Sequence, residues 1–309
     1  MKDLGSAHLL KVMGLFLMAL FVDGCINQNS SKTEETTTKG TIQISADESF
    51  KPVIDSEVKV FEASYPEAKI ITHYKPEAEC LKDLNNDSIR MVIVTRPLND
   101  DEEKAMKTRL NFVPAYGKLA YDAIAVIVNR QSKDSVFDMA DIRSMIKGTS
   151  GYKYKVVLDG LSSTSTVRYV IDSLAEGAPL GKNVVAAANS QGVIDYVGNN
   201  TDAIGMVGVS WIGNKEDTSQ LSFLKKVNIA SLECKSCSPV AYTKPYQANI
   251  AMRRYPMIRG LYYILKENYD GLGSGLANFL IYERGQMIFK RAYLYPARMS
   301  FEVRNANLQ

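Results

Sequence analysis

The sequence has little of what most enzymes use for catalysis. Only two of its 309 residues are histidine, and His8 lies in an N-terminal stretch that reads as an export signal. His73 is then the one imidazole left as a base for a nucleophilic triad, and its position at the end of the strand-like run IITH favours a structural role. HExxH, GKS/T and strand-linked Gly-x-Gly-x-x-Gly motifs are missing. These absences favour a binding protein, and an active site built on paired carboxylates is the enzymatic alternative that stays open.

The chain also lacks a strong excess of either charge. It has 37 Lys and Arg residues against 34 Asp and Glu residues, a formal net charge of +3 at pH 7, and both signs are spread along the chain. Proteins that bind nucleic acid or an anionic membrane surface concentrate basic residues instead. The composition therefore predicts neither a nucleic-acid partner nor a polybasic membrane-binding surface.

Cysteine is scarce, with four residues in the whole chain. Cys234 and Cys237, in ECKSC, have the spacing of a redox or zinc motif, but a zinc site takes four ligands and a thioredoxin-like motif belongs at a strand-to-helix turn. Neither context surrounds them. In an exported protein this spacing favours a local disulfide over free thiols, and the state of Cys80 is left open.

Residues 1–24 are predicted to be a cleaved export signal that takes no part in the fold. Their uncharged apolar run, residues 12–22, is too short for a membrane-spanning helix, which needs about 20 residues. The signal ends in VDGC, which resembles the box at which bacterial lipoprotein precursors are cut and lipidated. We predict that Cys25 carries the lipid; the alternative is a soluble secreted protein in which Cys25 is incidental. Residues 25–40 are polar and rich in Ser and Thr, so we predict a tether.

The rest of the chain alternates between short β-rich runs and amphipathic helix-like runs. The predicted strands include TIQIS, MVIVT and AYDAIAVIVN, and after the first of them Ile54, Val58, Phe61 and Tyr65 recur at helical spacing. This alternation is typical of a mostly parallel α/β sheet. The remaining length of about 270 residues is more than one core usually holds, so two lobes are predicted.

Five consecutive hydroxyl residues follow the strand-like run VVL and precede a helix face that begins at Val167. The members of this hydroxyl cluster are Ser162, Ser163, Thr164, Ser165 and Thr166. A helix start favours an anion through its unpaired N–H groups and its dipole, and hydroxyls add neutral donors. Such a site can hold an oxyanion together with an arginine, for which Arg96 and Arg168 are candidates. The alternative is ordinary helix capping by one hydroxyl, with the others solvated.

Several segments resemble, in order, parts of the substrate-binding proteins of phosphate ABC transporters. That family's opening strand, ligand loop and helix resemble ISADESFKPVIDSEVKVFEASYPEAKI, its second ligand loop resembles MVIVTRPLNDDE, and its strand toward the hinge resembles AYDAIAVIVN. Its Arg and Ser-Gly-Thr at a helix start correspond to DGLSSTSTVRYVIDSL. Its later segments resemble NSQGVIDYVGNNTDAIGMVGVSWI, RRYPMIRGLYYILKE and FLIYERGQMIFKRAYLYPAR. The resemblance spans residues 40–300.

The resemblance implies an α/β fold of the two-lobed periplasmic binding protein type (type II), with mostly parallel sheets, helices on both faces and a hinge between the lobes. Lobe 1 would combine residues 41–128 and 250–309, and lobe 2 would be residues 129–249. Phosphate would bind between the lobes and be delivered to the permease subunits of an ABC transporter, without a cofactor or covalent chemistry. The protein would be a monomer, exported to the periplasm and held at a bacterial membrane by the lipid on Cys25.

Carried over by position, the resemblance implies three ligand loops. The first is formed by Ser45, Ala46, Asp47, Glu48 and Ser49, the second by Thr95 and Arg96, and the third by the hydroxyl cluster. Backbone N–H groups and hydroxyls of these loops would donate to the anion.

Two departures from the family pattern concern these loops. The family's second loop commonly has a carboxylate where this chain has Arg96, and an arginine precedes its third loop where this chain has Leu158 and Asp159. A carboxylate accepts the proton of hydrogen phosphate and repels sulfate, so Asp47 or Glu48 would have to take that role here. The departures leave open another oxyanion, a phosphorylated ligand, or a sensor or scaffold without a transport role.

Overall fold

The computed structural model describes residues 35–214 and 216–299. The predicted export signal, Cys25 and most of the predicted tether lie outside the described residues, and they stay predictions. Within the described ranges, no helix is both long enough and apolar enough to cross a membrane.

The described residues form thirteen strands and ten α-helices. The strands are β1 (Gly40–Asp47), β2 (Ala68–Lys75), β3 (Ile89–Val94), β4 (Ala115–Asn129), β5 (Val136–Phe137), β6 (Lys155–Leu158), β7 (Val184–Ala186), β8 (Ala203–Gly208), β9 (Val227–Ile229), β10 (Ser231–Cys234), β11 (Ala241–Thr243), β12 (Ile258–Leu265) and β13 (Tyr295–Pro296). The helices are α1 (Lys51–Ser64), α2 (Glu77–Lys82), α3 (Asp100–Leu110), α4 (Met139–Lys147), α5 (Ser165–Tyr169), α6 (Ser190–Asn199), α7 (Thr218–Leu224), α8 (Gln247–Ala251), α9 (Leu272–Ile281) and α10 (Glu283–Arg291). Short 3-10 turns lie at Glu48–Phe50, Asp83–Asn85 and Val209–Trp211, and a π-helical turn, Val170–Leu174, continues α5.

One mixed sheet joins most strands in the order β2-β1-β3-β12-β4-β8-β6-β7, and β13 and β9 also pair with β4. The long strand β4 belongs to two parts of this sheet, because its first residues pair with β12 and β13 and its last residues pair with β8 and β9. We call β1–β3, β12 and β13 the first half of the sheet and β6–β9 the second half. The α/β architecture is as predicted, but the sheet is mixed and not mostly parallel. Strand β4 pairs antiparallel with β12, β13, β8 and β9, because it crosses from one half of the sheet to the other. The residue boundaries of the two lobes stay a prediction.

Helix α1 covers the first half of the sheet, as its periodicity predicts. Its buried face includes Ile54 and Phe61, and the Phe61 ring packs edge-on against Tyr65 and Phe279 with ring centroids 5.1 and 5.4 Å apart. Burial of a side chain of this size stabilises the fold by about 1.5–3 kcal/mol. Pro52 lies in the first turn of α1, where its missing N–H costs nothing. Because β1 ends at Asp47 and α1 begins at Lys51, the turn Glu48–Phe50 lies directly after the carboxyl end of β1.

The closing segment differs from its predicted form. The run ANFLIYERGQMIFKRAYLYPAR, residues 277–298, reads as one closing helix and a tail. The structure has two helices here, α9 and α10, separated by the extended residue Tyr282 (φ −98°, ψ 178°). Gly285 lies against the backbone of α9, where a Cβ atom would be 2.5 Å from the carbonyl oxygen of Phe279. The chain therefore turns at Tyr282 and packs α10 closely on α9, a contact that local periodicity does not reveal.

The three described cysteines and His73 have structural roles. Cys234 and Cys237 form the predicted local disulfide, and Cys80 is a buried free thiol. His73 is half-buried on β2, and its Nε2 lies 2.8 Å from Oε1 of Gln43 on β1. This contact fits the structural role predicted for His73.

Candidate functional site

A cluster of buried polar side chains lies where β4 passes from the first half of the sheet to the second. Asp122 on β4 and Arg259 on β12 are directly opposite each other on neighbouring antiparallel strands. Arg259 Nε donates to Asp122 Oδ2 at 2.8 Å. Their side chains are 0% and 4% exposed. The guanidinium also lies over the ring of Phe50, 4.9 Å from its centroid. Taking two charges this far from water is costly, so the pair persists only because each charge has partners.

Arg259 reaches from this ion pair to the hydroxyl cluster. Its Nη1 donates to Ser165 Oγ at 2.8 Å and to Thr166 Oγ1 at 3.5 Å. Ser49 Oγ lies 3.4 Å from Ser165 Oγ. The start of α5 therefore places two hydroxyls on the Arg259 guanidinium, and the turn after β1 places a third, that of Ser49, beside them. These segments are far apart in the sequence.

Asp159 organises the other side of the hydroxyl cluster. Its Oδ1 accepts a hydrogen bond from Thr164 Oγ1 at 2.8 Å, and its Oδ2 accepts from Thr166 Oγ1 at 3.1 Å and from Ser49 Oγ at 3.4 Å. The residue that stands in place of the family's arginine is thus a buried acceptor for hydroxyl groups.

The backbone of the same loop explains which hydroxyls face inward. Thr164 is the N-cap of α5 and accepts a hydrogen bond from the Val167 N–H at 3.1 Å, so the capping alternative applies to this one residue. Gly160 has φ +153°, a conformation that side chains rarely adopt, and it turns the loop back on itself. Ser162 and Ser163 are exposed at the outer end of the turn.

Asp47 ends β1 inside the cluster and is 1% exposed. Its Oδ1 accepts from the Ser49 N–H at 3.0 Å, and burial raises its pKa to about 7 in spite of the nearby Arg259. Asp47 Oδ2, Asp122 Oδ1 and Arg259 Nη2 are buried atoms without a hydrogen-bond partner in the described part of the chain. Two acceptors and one donor can therefore serve a ligand.

The cluster has more carboxyl groups than guanidinium groups. Its acids are Asp47, Glu77, Asp122 and Asp159, and its arginines are Arg168 and Arg259. Burial raises the pKa of both Asp122 and Asp159, although the charge of Arg259 opposes this rise. For Arg259, burial lowers the pKa, but the nearby carboxylates, that of Asp122 foremost, together more than offset this and leave the pKa raised. An anion is therefore held more readily when some of these carboxyls carry protons. Among residues 35–214 and 216–299, no group of three or more His, Cys, Asp and Glu residues could hold a metal ion.

The two predicted residues of the second loop, Thr95 and Arg96, have different partners. Thr95 donates to Glu77 Oε1 through its N–H at 2.8 Å and its hydroxyl at 2.5 Å, and Arg168 Nη2 donates to Thr95 Oγ1 at 2.7 Å. Arg96 points to α3, where both of its terminal nitrogens donate to Glu102 at 2.7 Å. It borders a cavity of about 370 Å³ between α2 and α3. Of the two candidate arginines, Arg168 thus contacts the predicted loops and Arg96 forms a separate ion pair.

The other first-loop residues have separate partners. Ser45 donates to Asp83 Oδ2 at 2.5 Å, and Ala46 is part of the hydrophobic core. Glu48 accepts from Ser190 Oγ at 2.8 Å, which links the turn after β1 to the start of α6. The first loop therefore contributes mainly Asp47 and Ser49 to the cluster around Arg259.

Sequence reasoning did not single out Asp122, Arg259 or Glu77. Arg259 is the one charged residue of β12, and Asp122 is the one acidic residue of β4, which also has Lys118. Charged residues are rarely buried unless they are paired. Opposite charges in two central strands are a signal that could have found this pair. No comparable signal marks Glu77 within HYKPEAEC, because its partners come from distant segments.

The chain matches a known protein family over most of its length. A family model described as a PBP superfamily domain matches residues 31–284. A search of curated proteins gave no match.

Solved structures resemble this chain over most of its length. A protein from Clostridium perfringens, described as a phosphate ABC transporter substrate-binding protein with bound phosphate, has a TM-score of 0.68 and 19% identity and covers 84% of this chain and 100% of its own. An ABC-type phosphate transport receptor from Vibrio cholerae has a TM-score of 0.60 and 16% identity, with coverage of 82% and 99%. The substrate-binding domain described for a molybdenum ABC transporter from Clostridium difficile has a TM-score of 0.50 and 14% identity, with coverage of 84% and 99%. At these identities the likeness establishes the fold, and it confirms the predicted two-lobed periplasmic binding protein fold.

The raised pKa of Asp47 makes a prediction about stability. The pKa rises from 3.8 to about 7 on folding, so the folded state binds this proton more tightly than the unfolded state does. The stabilisation is complete below about pH 4 and is lost as the pH rises to about 7. Asp47→Asn removes this contribution, so we expect its free energy of unfolding in urea to rise relative to that of the wild type over this pH range.

The matched control for this experiment is Asp101→Asn, because Asp101 has a side chain that is 97% exposed. It should keep the pH dependence of the wild type. The same pH dependence in Asp47→Asn and the wild type would contradict the raised pKa.

Proposed function

The chain belongs to the PBP superfamily, and we propose that it binds phosphate between its two lobes and delivers it to the permease subunits of an ABC transporter. It acts by binding and release, without covalent chemistry. As an exported protein of this superfamily, it works outside the cytoplasm.

One observation carries the choice of ligand: Arg259 Nη2 and Asp47 Oδ2 are buried, unpartnered in the described residues, and belong to one cluster with the hydroxyls of Ser49 and Ser165. Hydrogen phosphate can accept hydrogen bonds from the guanidinium and the hydroxyls and donate its own proton to a carboxylate. Sulfate has no proton to donate at neutral pH, so it would leave the carboxylate unpaired and repelled. Asp47 thereby takes the acceptor role that the family's second loop commonly supplies.

The structural neighbours support this choice unequally. The Clostridium perfringens structure holds phosphate and the Vibrio cholerae protein is a phosphate transport receptor, whereas the Clostridium difficile domain belongs to a molybdenum transporter. The fold by itself therefore does not select the anion. Selection has to come from the cluster around Arg259.

The excess of carboxyl groups makes phosphate binding depend on pH. We expect isothermal titration calorimetry to show tighter phosphate binding at about pH 6 than at about pH 8, by about tenfold or more, because each complex takes up protons. Titrations in two buffers of different ionisation enthalpy measure this proton uptake directly.

Sulfate is the matched control ligand. At about pH 8, where the Asp47 carboxyl is ionised, it should bind far more weakly than phosphate. Equal affinity for sulfate, or phosphate binding without proton uptake, would contradict the role of the carboxyls. If neither anion binds, the phosphate assignment fails, and other oxyanions, phosphorylated ligands and partner proteins are tested next.

Two arginine variants separate the site inferred from the structure from the one inferred from the sequence. Arg259→Lys keeps a positive charge beside Asp122 but removes the planar fork, and we expect it to weaken phosphate binding by about 1.5–3 kcal/mol. Arg96→Ala breaks the ion pair with Glu102 and should leave phosphate affinity within about 0.5 kcal/mol. Calorimetry measures both affinities, and thermal unfolding checks that each variant is folded.

The opposite pattern, with Arg96→Ala weakened and Arg259→Lys unchanged, would return the site to the second loop. Loss of phosphate affinity in both variants would mean that both arginines contribute.

We also propose that Cys25 carries a lipid that anchors the protein to a bacterial membrane, on the basis of VDGC after a short apolar run. In cells given a labelled fatty acid, the wild type should take up label and fractionate with membranes. Cys25→Ser should lose both properties. Unlabelled wild-type protein in the soluble fraction would favour the secreted alternative.

A further inference from the structure

Glu77 is surrounded by donors in the way that a bound oxyanion would be. Its Oε1 accepts from the N–H and the hydroxyl of Thr95, and its Oε2 accepts from Arg168 Nε at 2.6 Å. Arg168 Nη2 adds a longer contact of 3.4 Å to Oε1. The side chain is 2% exposed, and although burial raises its pKa, Arg168 and Thr95 bring that pKa below the ordinary value. Glu77 is therefore an ionised carboxylate with a full set of partners.

These partners come from both halves of the sheet. Glu77 begins α2 and Thr95 follows β3, which both belong with the first half, whereas Arg168 lies in α5 after β6 of the second half. A second contact joins the same two segments, because the Ala78 N–H donates to the carbonyl oxygen of Ser163 at 3.0 Å. The start of α2 is thus tied to the hydroxyl loop by a side-chain ion pair and by a backbone hydrogen bond.

The backbone of Ser163 is specialised for this contact. Ser163 has φ +70°, which is uncommon for a residue other than glycine. Its side chain is exposed, and the residue's link to the first half is made by its carbonyl group. The unusual conformation aims that carbonyl at α2, so the loop is shaped for a partner within the chain.

We propose that Glu77 is a built-in oxyanion that latches the hydroxyl loop to the second loop and competes with the ligand for Thr95 and Arg168. The latch needs no ligand, since the carboxylate comes from the chain itself. The competition rests on the proposed phosphate binding. Glu77 withholds the guanidinium of Arg168 and the two donors of Thr95 from the phosphate, and so limits the affinity of the protein for phosphate. Phosphate is then held mainly by the cluster around Arg259.

The latch is tested by hydrogen exchange at the Ala78 amide, followed by NMR on the full chain in buffer without phosphate. Glu77→Gln keeps the shape of the side chain and removes its charge, and Arg168→Gln removes the partner from the opposite half. We expect both variants to speed exchange at Ala78 by about tenfold or more, the scale of one charge-assisted hydrogen bond.

Asp172→Asn is the matched control, because Asp172 is an exposed second carboxylate 3.7 Å from Arg168. It should leave exchange at Ala78 unchanged. The Cys80 amide, bonded to the Pro76 carbonyl within the same segment, reports on α2 itself and should stay as in the wild type in Arg168→Gln. Unchanged exchange at Ala78 in Arg168→Gln would overturn the latch.

The competition is tested by titrating phosphate into wild type and Glu77→Gln. We expect the variant to bind phosphate about tenfold more tightly, since Thr95 and Arg168 become available to the anion. Equal or weaker binding by the variant would overturn the competition. If neither protein binds phosphate, the proposed function and the competition both fail, while exchange at Ala78 still decides whether the latch exists.

Discussion

The guanidinium of Arg259 is the group on which the buried centre of this protein depends. It lies between the two central strands, bonded to Asp122 across the sheet, and it reaches the first hydroxyls of α5. A charge at this depth is tolerated only with partners, so its surroundings must supply carboxylates and hydroxyls. The same requirement brings together the ends of β1, β6 and β12. The interior of the two-lobed fold is therefore polar where the halves of the sheet meet.

The hydroxyl groups expected to serve a ligand also have partners within the chain. Asp159 accepts from Thr164 and Thr166, and Glu77 accepts from Thr95. This chain thus places carboxylates beside the hydroxyls that the sequence analysis assigns to a ligand. Because like charges repel strongly away from water, an anion enters such a centre most easily with protons of its own or beside protonated carboxyls. Under the proposed function, these acids select the oxyanion and set the pH dependence of its binding.

Local patterns predicted much of the fold. The apolar periodicity of α1 and the β-rich runs that became β1, β3 and β4 follow from which residues face a core, and neighbours in the chain decide that. The prediction of one helix in the closing segment was wrong, because the turn at Tyr282 depends on the close packing of Gly285 against α9. For the site, the hydroxyl cluster was found at a helix start and Arg96 and Arg168 were named as its candidate arginines, but Arg259, which contacts Ser165 and Thr166, was not.

The sequence by itself determined the α/β class of the fold, several of its strands and helices, the local disulfide and the hydroxyl-rich start of α5. These features depend on spacing within one segment. Only the tertiary structure decided that Arg259 faces Asp122, that Arg96 pairs with Glu102, and that Glu77 meets Thr95 and Arg168. Such partners are set by strand register and by the approach of distant segments, and a long side chain has several acceptors of equal chemistry to choose from. The three-dimensional positions of the groups decide which acceptor each side chain contacts, and the order of residues in the chain does not give those positions.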